Sequence, residues 1–260
     1  MEPPDGYWRR RAEISGLAAG ADAPPVDIDY TPVEHEVWAA VAATLDPLWE
    51  RHAAHGVLEA RQRLDLPTDR VPQLSEVSAR LGPLTGFTYR GVPGLVPVEQ
   101  FFAMLADRTF ASTQYVRWAG SPLYTPEPDV IHEVMGHGNC LACPQIAELH
   151  RLAGAAITAT DDAVRRQVLA DVFWFSVEFG VLHEPSSSAP PKAYGTGLLS
   201  SPGELAWFAE HAAIRPLDIG EMGSTAYDID HYQPLLFAGR SLDHVLDVVG
   251  GYFARAQLNG

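Results

Sequence analysis

Residues 125–138 read TPEPDVIHEVMGHG, and this stretch constrains the chain more than any other. It sets two histidines, His132 and His137, five residues apart in an otherwise apolar run opened by Pro128 and Asp129. The zinc-peptidase signature spaces its histidines four apart, with the intervening glutamate as general base. Here the order is H-E-x-x-G-H, one residue too long. On a regular helix, residues five apart are rotated by about 140°, so the two imidazoles would face different ways. Both can serve one site only if the helix carries a π-bulge or ends near Gly136, and such bulges gather at functional sites.

Two neutral imidazoles suit borderline divalent metals, and with one carboxylate and open positions they form the facial set of non-haem Fe(II) oxygenases. A third ligand must come from elsewhere in the chain. Glu178 is the best candidate because it interrupts the apolar run FWFSVEFGV. An unpaired carboxylate buried there would cost several kcal/mol, a cost a cation removes. Spacing alone leaves open that one histidine is a core or capping residue and that Glu178 pairs with an arginine.

The rest of the chain narrows the partners. Its 260 residues allow one large domain or two small ones, and 47% hydrophobic residues are ample for a core. A formal net charge of −15 argues against nucleic acid or an anionic membrane as partner. No stretch has the apolar length of a membrane span, and the N-terminus lacks a signal-peptide core, so a soluble cytoplasmic location is expected. Cys140 and Cys143, in CLAC, are too few for a disulfide framework. Without a second pair they read as ordinary helix residues, although a lone C-x-x-C can also be a redox pair or half a zinc site.

Residues 1–30, rich in proline, alanine and acids, read as a poorly ordered arm, and residues 31–260 as one mainly helical domain with a few short strands. Amphipathic helices are expected over 33–62, broken by Pro47 and Gly56. A short helix is expected over 72–81, capped by Ser75 and closed by Gly82, and another over 99–110. Short strands are expected around 87–98 and over 113–118. The longest apolar helix should run from Asp161 or Asp162 to Gly180, followed by a Ser/Pro-rich loop over 184–191.

At this point the sequence resembles the pterin-dependent aromatic amino acid hydroxylases. The matching blocks are VPQLSEVSARL (71–81), TGF (85–87), TQYVR (113–117), YTPEPDVIHEVMGH (124–137), FWFSVEFG (173–180), KAYGTGLLSSPGEL (192–205) and YQPLLF (232–237), in family order. The resemblance implies a single catalytic domain in which His132, His137 and Glu178 bind one Fe(II) facially. It implies tetrahydrobiopterin, or a related tetrahydropterin, at Gly94, Leu95, Phe101 and Glu133, with Phe101 stacked on the pterin. It places the amino acid's carboxylate on Arg117, assisted by Thr125 and Ser200 in the neighbourhood of Tyr124. The aromatic ring would lie among Trp174, Pro128, Phe179 and His132, with Gly197 nearby. Glu133, Trp174 and Ser200 are the expected catalytic contributors. Asp129 and Glu204 would orient ligands or Arg117.

Within the family, tryptophan at position 174 favours phenylalanine as substrate. Phe179 and Gly197 match the para-hydroxylating pattern, so L-tyrosine is the expected product, with 3-hydroxylation of phenylalanine or 5-hydroxylation of tryptophan as alternatives. Ile229 hints at tryptophan. Phe173 in place of a tyrosine, Thr196 in place of an alanine and GNCLACP (138–144) depart from the family pattern but spare the metal set. The expectation is a compact monomer of the bacterial type, binding small molecules only. A zinc hydrolase using Glu133 as base, and a non-catalytic binder of aromatic amino acids, are the competing classes.

Overall fold

The computed structural model describes residues 2–18, 25–184, 190–229 and 231–259. Where an arm was expected, Asp5–Leu17 form helix α1, although residues 19–24, which include Pro24, lie outside the described residues. The helix is held by contacts that composition does not reveal. Ile14 is buried, Arg10 Nε donates to Glu34 at 3.0 Å and Arg10 Nη2 donates to the Asp29 carbonyl at 2.7 Å. Arg11 pairs with Glu127 and lies over the Tyr115 ring, 4.2 Å from its centroid.

Helix α2 (Pro32–His52) starts where the sequence T-P-V-E dictates. Thr31 accepts from the Glu34 backbone N–H and Glu34 accepts from the Thr31 N–H, a reciprocal cap with proline at the first helical position. The helix passes through Pro47 without ending, because Leu45 and Trp49 on either side are buried and Trp49 Nε1 donates to the Leu199 carbonyl at 2.8 Å. Helix α3 (His55–Leu64) follows. Helix α4 (Leu74–Thr85) runs past Gly82 and Pro83 and closes at Gly86, φ 80°. Ser75 is not its cap: Gln73 precedes the helix, and the Ser75 hydroxyl donates to Asp27 at 2.9 Å.

Strands β1 (Thr88–Gly91) and β2 (Thr109–Ser112) pair in parallel around helix α5 (Val98–Ala106). The expected strand over 113–118 forms no ladder, because neighbouring loops satisfy its polar groups. The Gln114 carbonyl accepts from Tyr30, Gln114 Nε2 donates to the Val26 carbonyl, and the Tyr115 carbonyl accepts from the Val130 N–H.

A π-helix, π1 (Ile131–Gly138), continues into α6 (Asn139–Leu141) and then α7 (Pro144–Thr158). Helix α8 (Ala163–Phe173), capped by Asp162 through the Val164 and Arg165 N–H groups, passes into a second π segment, π2 (Trp174–Glu178). There follow β3 (Val181–Leu182), β4 (Lys192–Ala193), α9 (Thr196–Ser200), α10 (Pro202–His211), β5 (Ala213–Pro216), α11 (Ile219–Met222) and β6 (Leu235–Gly239). The chain closes with α12 (Leu242–Val245), π3 (Leu246–Gly250) and α13 (Gly251–Leu258). In the four-stranded sheet the order is β4-β3-β6-β5, antiparallel only between β3 and β4. Within the loop expected over 184–191, residues 185–189 lie outside the described residues. The architecture is mainly helical with a few short strands. One apolar core runs from α2 through π1 and α7 to β6 and α13.

Candidate metal centre and aromatic cage

The widened helix answers the problem posed by the five-residue spacing. Hydrogen bonding to the fifth residue back widens each turn, so His132 and His137 sit nearly above one another. Their ring centroids are 5.0 Å apart. The second π segment repeats the device on the facing element: the Phe179 N–H donates to the Trp174 carbonyl five residues earlier at 2.9 Å, and this turn carries Glu178. One donor atom from each of His132, His137 and Glu178 lies within 4.8 Å of the others, with Glu178 Oε1 3.3 Å from His137 Nε2.

The donor set fits a divalent cation. Burial pushes His132 down to about 4 and His137 down to about 3, so both are neutral ligands at physiological pH. The Glu178 carboxyl is raised by the same desolvation, which a cation would reverse. Each imidazole is oriented from behind. His132 Nδ1 lies 2.8 Å from Ser200 Oγ, and His137 Nδ1 lies 3.2 Å from His150 Nε2. Phe110 of β2 covers His137 with its ring centroid 4.4 Å away.

Close approach of α9 is what brings Ser200 to the site. A Cβ on Gly136 would stand 2.9 Å from Ser200 Cβ and 3.0 Å from Thr196 Cγ2, so only glycine lets π1 and α9 meet. Gly197 allows a similar approach near the start of α9, where a Cβ would lie 2.7 Å from Phe179 Cζ.

Beside the cluster is an aromatic wall. Trp174 stacks on Tyr227 at 4.3 Å and lies 4.7 Å from Phe179, and its indole N–H faces Gln233 Oε1 at 3.4 Å. Gln233 is held in turn by Glu204, which accepts its backbone N–H at 2.7 Å. Tyr227 and Gln233 were not singled out from the sequence. Nothing in the spacing links the loop that carries them to Trp174.

Arg117 is buried, with its Nε and Nη2 edge on Asp129 at 3.0 and 2.7 Å, which leaves Nη1 as the guanidinium nitrogen that does not bond Asp129. Asp129 also accepts the backbone N–H groups of Arg117 and His132, so one carboxylate ties the guanidinium to the first turn of π1. Thr125 donates to the Glu127 carbonyl, and the carbonyl of the half-buried Pro128 accepts from Thr113 and Tyr115. Glu133 is buried and raised well above the usual carboxylate range by desolvation and by the neighbouring carboxylates Glu178 and Asp129. Phe101 packs edge-on against Phe102 and Phe110. Gly94 lies on the loop before α5 with open space beside it, and the adjoining Leu95 is 78% exposed. Tyr124 and Ile229 are likewise exposed. Cys140 and Cys143 are free, buried thiols; Cys140 lies on α6 as a helix residue, whereas Cys143 lies outside the helices, at the cap position before α7.

The sequence profile of the biopterin-dependent aromatic amino acid hydroxylases matches residues 4–258. The chain belongs to that family. It is 44% identical over 250 residues to a phenylalanine 3-hydroxylase from Streptomyces coeruleorubidus, covering 95% of this chain and 88% of that protein. It is 42% identical over 211 residues to a chloroplastic phenylalanine 4-monooxygenase from Chlamydomonas reinhardtii, covering 80% of this chain but only 57% of that protein. Its fold matches the phenylalanine hydroxylase of Chromobacterium violaceum solved with bound Fe(III), with a TM-score of 0.86 and 29% identity over 99% of this chain and 93% of that one. Iron and a tetrahydropterin are therefore the cofactors of this hydroxylase, and the three-residue cluster is its candidate iron site. No described helix is long and apolar enough to cross a membrane.

Proposed function

We propose that this hydroxylase acts on L-phenylalanine and places the hydroxyl at the 3-position of the ring. The class of chemistry follows from the family. The substrate rests on the aromatic cage of Trp174 and Phe179 beside the three ligands, with the Arg117 fork on the adjoining segment. The ring position rests on the 44% identity to a phenylalanine 3-hydroxylase across nearly the whole chain.

Bound iron and tetrahydropterin supply the activation of O2, one oxygen atom passing to the ring and the other to the pterin. The side chains supply position. Arg117 Nη1 receives the amino acid's carboxylate, with Thr125 on the neighbouring turn, while Asp129 fixes the guanidinium plane. Trp174, Phe179, Pro128 and His132 hold the ring, and Gly197 sets how far the Phe179 ring can retreat. Phe101, Glu133 and the Gly94–Leu95 loop form the pterin side. Burial and the neighbouring carboxylates Glu178 and Asp129 raise the Glu133 carboxyl, so its protonated form is favoured more than in an exposed glutamate.

A second reading, 4-hydroxylation to L-tyrosine, is favoured by the contact between Phe179 and Gly197, the pair that matches the para-hydroxylating pattern. The deciding experiment is anaerobic loading with Fe(II), then reaction with O2, a tetrahydropterin and, separately, phenylalanine, tyrosine and tryptophan. The expected main product is 3-hydroxyphenylalanine. L-Tyrosine as main product would select the second reading. Product from tryptophan alone, or none at all, would overturn both.

A further inference from the structure

Behind the candidate iron site stands a third histidine that the ligand set does not use. His150 lies on α7, is 0% exposed, and is enclosed by the rings of Phe87, Phe110 and Phe173, whose centroids lie 6.3, 6.5 and 5.8 Å from its own. An imidazole buried among three phenylalanine rings is uncharged, so it carries one N–H. Its Nδ1 lies 2.8 Å from the Ile146 carbonyl oxygen, one turn earlier on the same helix. A carbonyl can only accept, so the proton of His150 is on Nδ1 and its Nε2 presents a lone pair. That lone pair is 3.2 Å from His137 Nδ1, which must then be the donor. The neutral His137 ring is thereby left with a bare Nε2, the nitrogen 3.3 Å from Glu178 Oε1.

We infer that His150 is a positioning residue: the relay from the Ile146 carbonyl through His150 holds His137 in the Nδ1–H tautomer, with Nε2 free to bind the metal. The opposite relay would set an Nε2–H on His150 and bring two lone pairs together at Ile146, which nothing on α7 relieves. Metal-bound histidines in general donate their second N–H to a fixed acceptor, and loss of that acceptor costs about 10–100-fold in metal affinity. Here the acceptor is another imidazole in place of a carboxylate or carbonyl. It adds no further negative charge beside Glu178, the carboxylate of the ligand set.

The inference rests on reading His132, His137 and Glu178 as a metal site, and its test separates the two. Co(II) affinity would be measured by equilibrium dialysis for the wild type, His150→Leu and His150→Gln. The leucine keeps the volume but offers no acceptor, and should raise the Kd by roughly 10–100-fold. The glutamine, which keeps an acceptor oxygen, should recover most of that loss. Equal affinity in wild type and His150→Leu overturns the relay while leaving the metal reading intact. No Co(II) binding by the wild type overturns the metal reading itself. Should His150→Leu fail to fold, nitrogen-15 spectra of the histidine-labelled, metal-free wild type decide the matter. They should place protons on Nδ1 of both His137 and His150, and an Nε2–H on either ring refutes the proposal.

Discussion

Asp129 ties the Arg117 guanidinium to the first turn of π1, and replacing it with asparagine measures how far the site depends on that link. Its two oxygens accept from Arg117 Nε, Arg117 Nη2 and the backbone N–H groups of Arg117 and His132, at 3.0, 2.7, 2.8 and 3.2 Å. The Arg117 side chain is 4% exposed and that of Asp129 0%, so water cannot replace the lost partner. Asparagine is isosteric, but it turns one acceptor into an NH2 group facing N–H donors and leaves the guanidinium charge uncompensated. Breaking one side of a buried ion pair costs about 3–5 kcal/mol. For a chain of this size, 1 kcal/mol corresponds to roughly 2–4 °C in Tm. The expected fall for Asp129→Asn is therefore on the order of 6–20 °C by calorimetry, and it should persist at high salt because buried pairs are poorly screened. The same change should raise KM for the amino acid far more than KM for the pterin, since Arg117 loses the group that sets its plane. A fall under about 2 °C, or one that vanishes in about 1 M salt, would refute the view that this pair is dry and structural.

Other perturbations test neighbouring regions of the site. Gly136→Ala places a methyl 2.9 Å from Ser200 Cβ and should destabilise by about 1–3 kcal/mol in chemical denaturation, and an unchanged midpoint would show that α9 moves freely. Gly197→Ala should displace the Phe179 ring and change the ratio of 3- to 4-hydroxylated product, whereas an unaltered ratio would remove this contact from the control of ring position. Burial pushes the Glu204 carboxyl up to about 7 from an ordinary value near 4.5. Folding thus takes up a proton between these values, so its stabilising contribution is complete below the lower one and is lost as pH rises through the upper. Glu204→Gln should flatten that slope and melt higher than the wild type at about pH 8, and parallel pH profiles would refute the assignment. Saturation with Co(II) at about a hundred times its Kd should stabilise the chain by about 2.7 kcal/mol, an increment that Glu178→Gln should largely abolish in melts with and without chelator.

The sequence made some of this legible because chemistry left a local signature. The Asp162 cap and the apolar run that carries Glu178 are short-range signals, and the structure follows them. Helix α1 was not legible because its stability comes from Glu34, Asp29, Glu127 and Tyr115, all distant in sequence. The extension of α2 past Pro47 and of α4 past Pro83 has the same origin: tertiary contacts outweigh the local penalty of proline. Tyr227, Gln233 and His150 escaped for a related reason. Each acts on a site residue through a side-chain contact across the fold, and although Gln233 falls within the YQPLLF block, nothing beside it points to Trp174.

The five-residue interval ties these observations together. Two residues that must act at one point are spaced by three or four on an ordinary helix, so an interval of five is costly unless the backbone is widened to suit it. It occurs twice at this site, in His132 to His137 and in Trp174 to Phe179, and each interval lies on a π segment or its closing turn. The first interval was conspicuous because histidines are rare in apolar helices. The second was hidden because tryptophan and phenylalanine in an apolar run pass for ordinary core. The ligand pair and the aromatic pair are thus presented by the same irregularity on two facing helices. Restoring a regular turn on either one, by deleting a single residue from the π segment, would rotate one member of its pair by about 100° out of the site. Deletion within 133–136 should therefore abolish Co(II) binding, whereas deletion within 175–177 should also carry Glu178 out of register and cost both metal and amino acid affinity. Retention of wild-type Co(II) affinity in either deletion would show that the widened turns are incidental to the site.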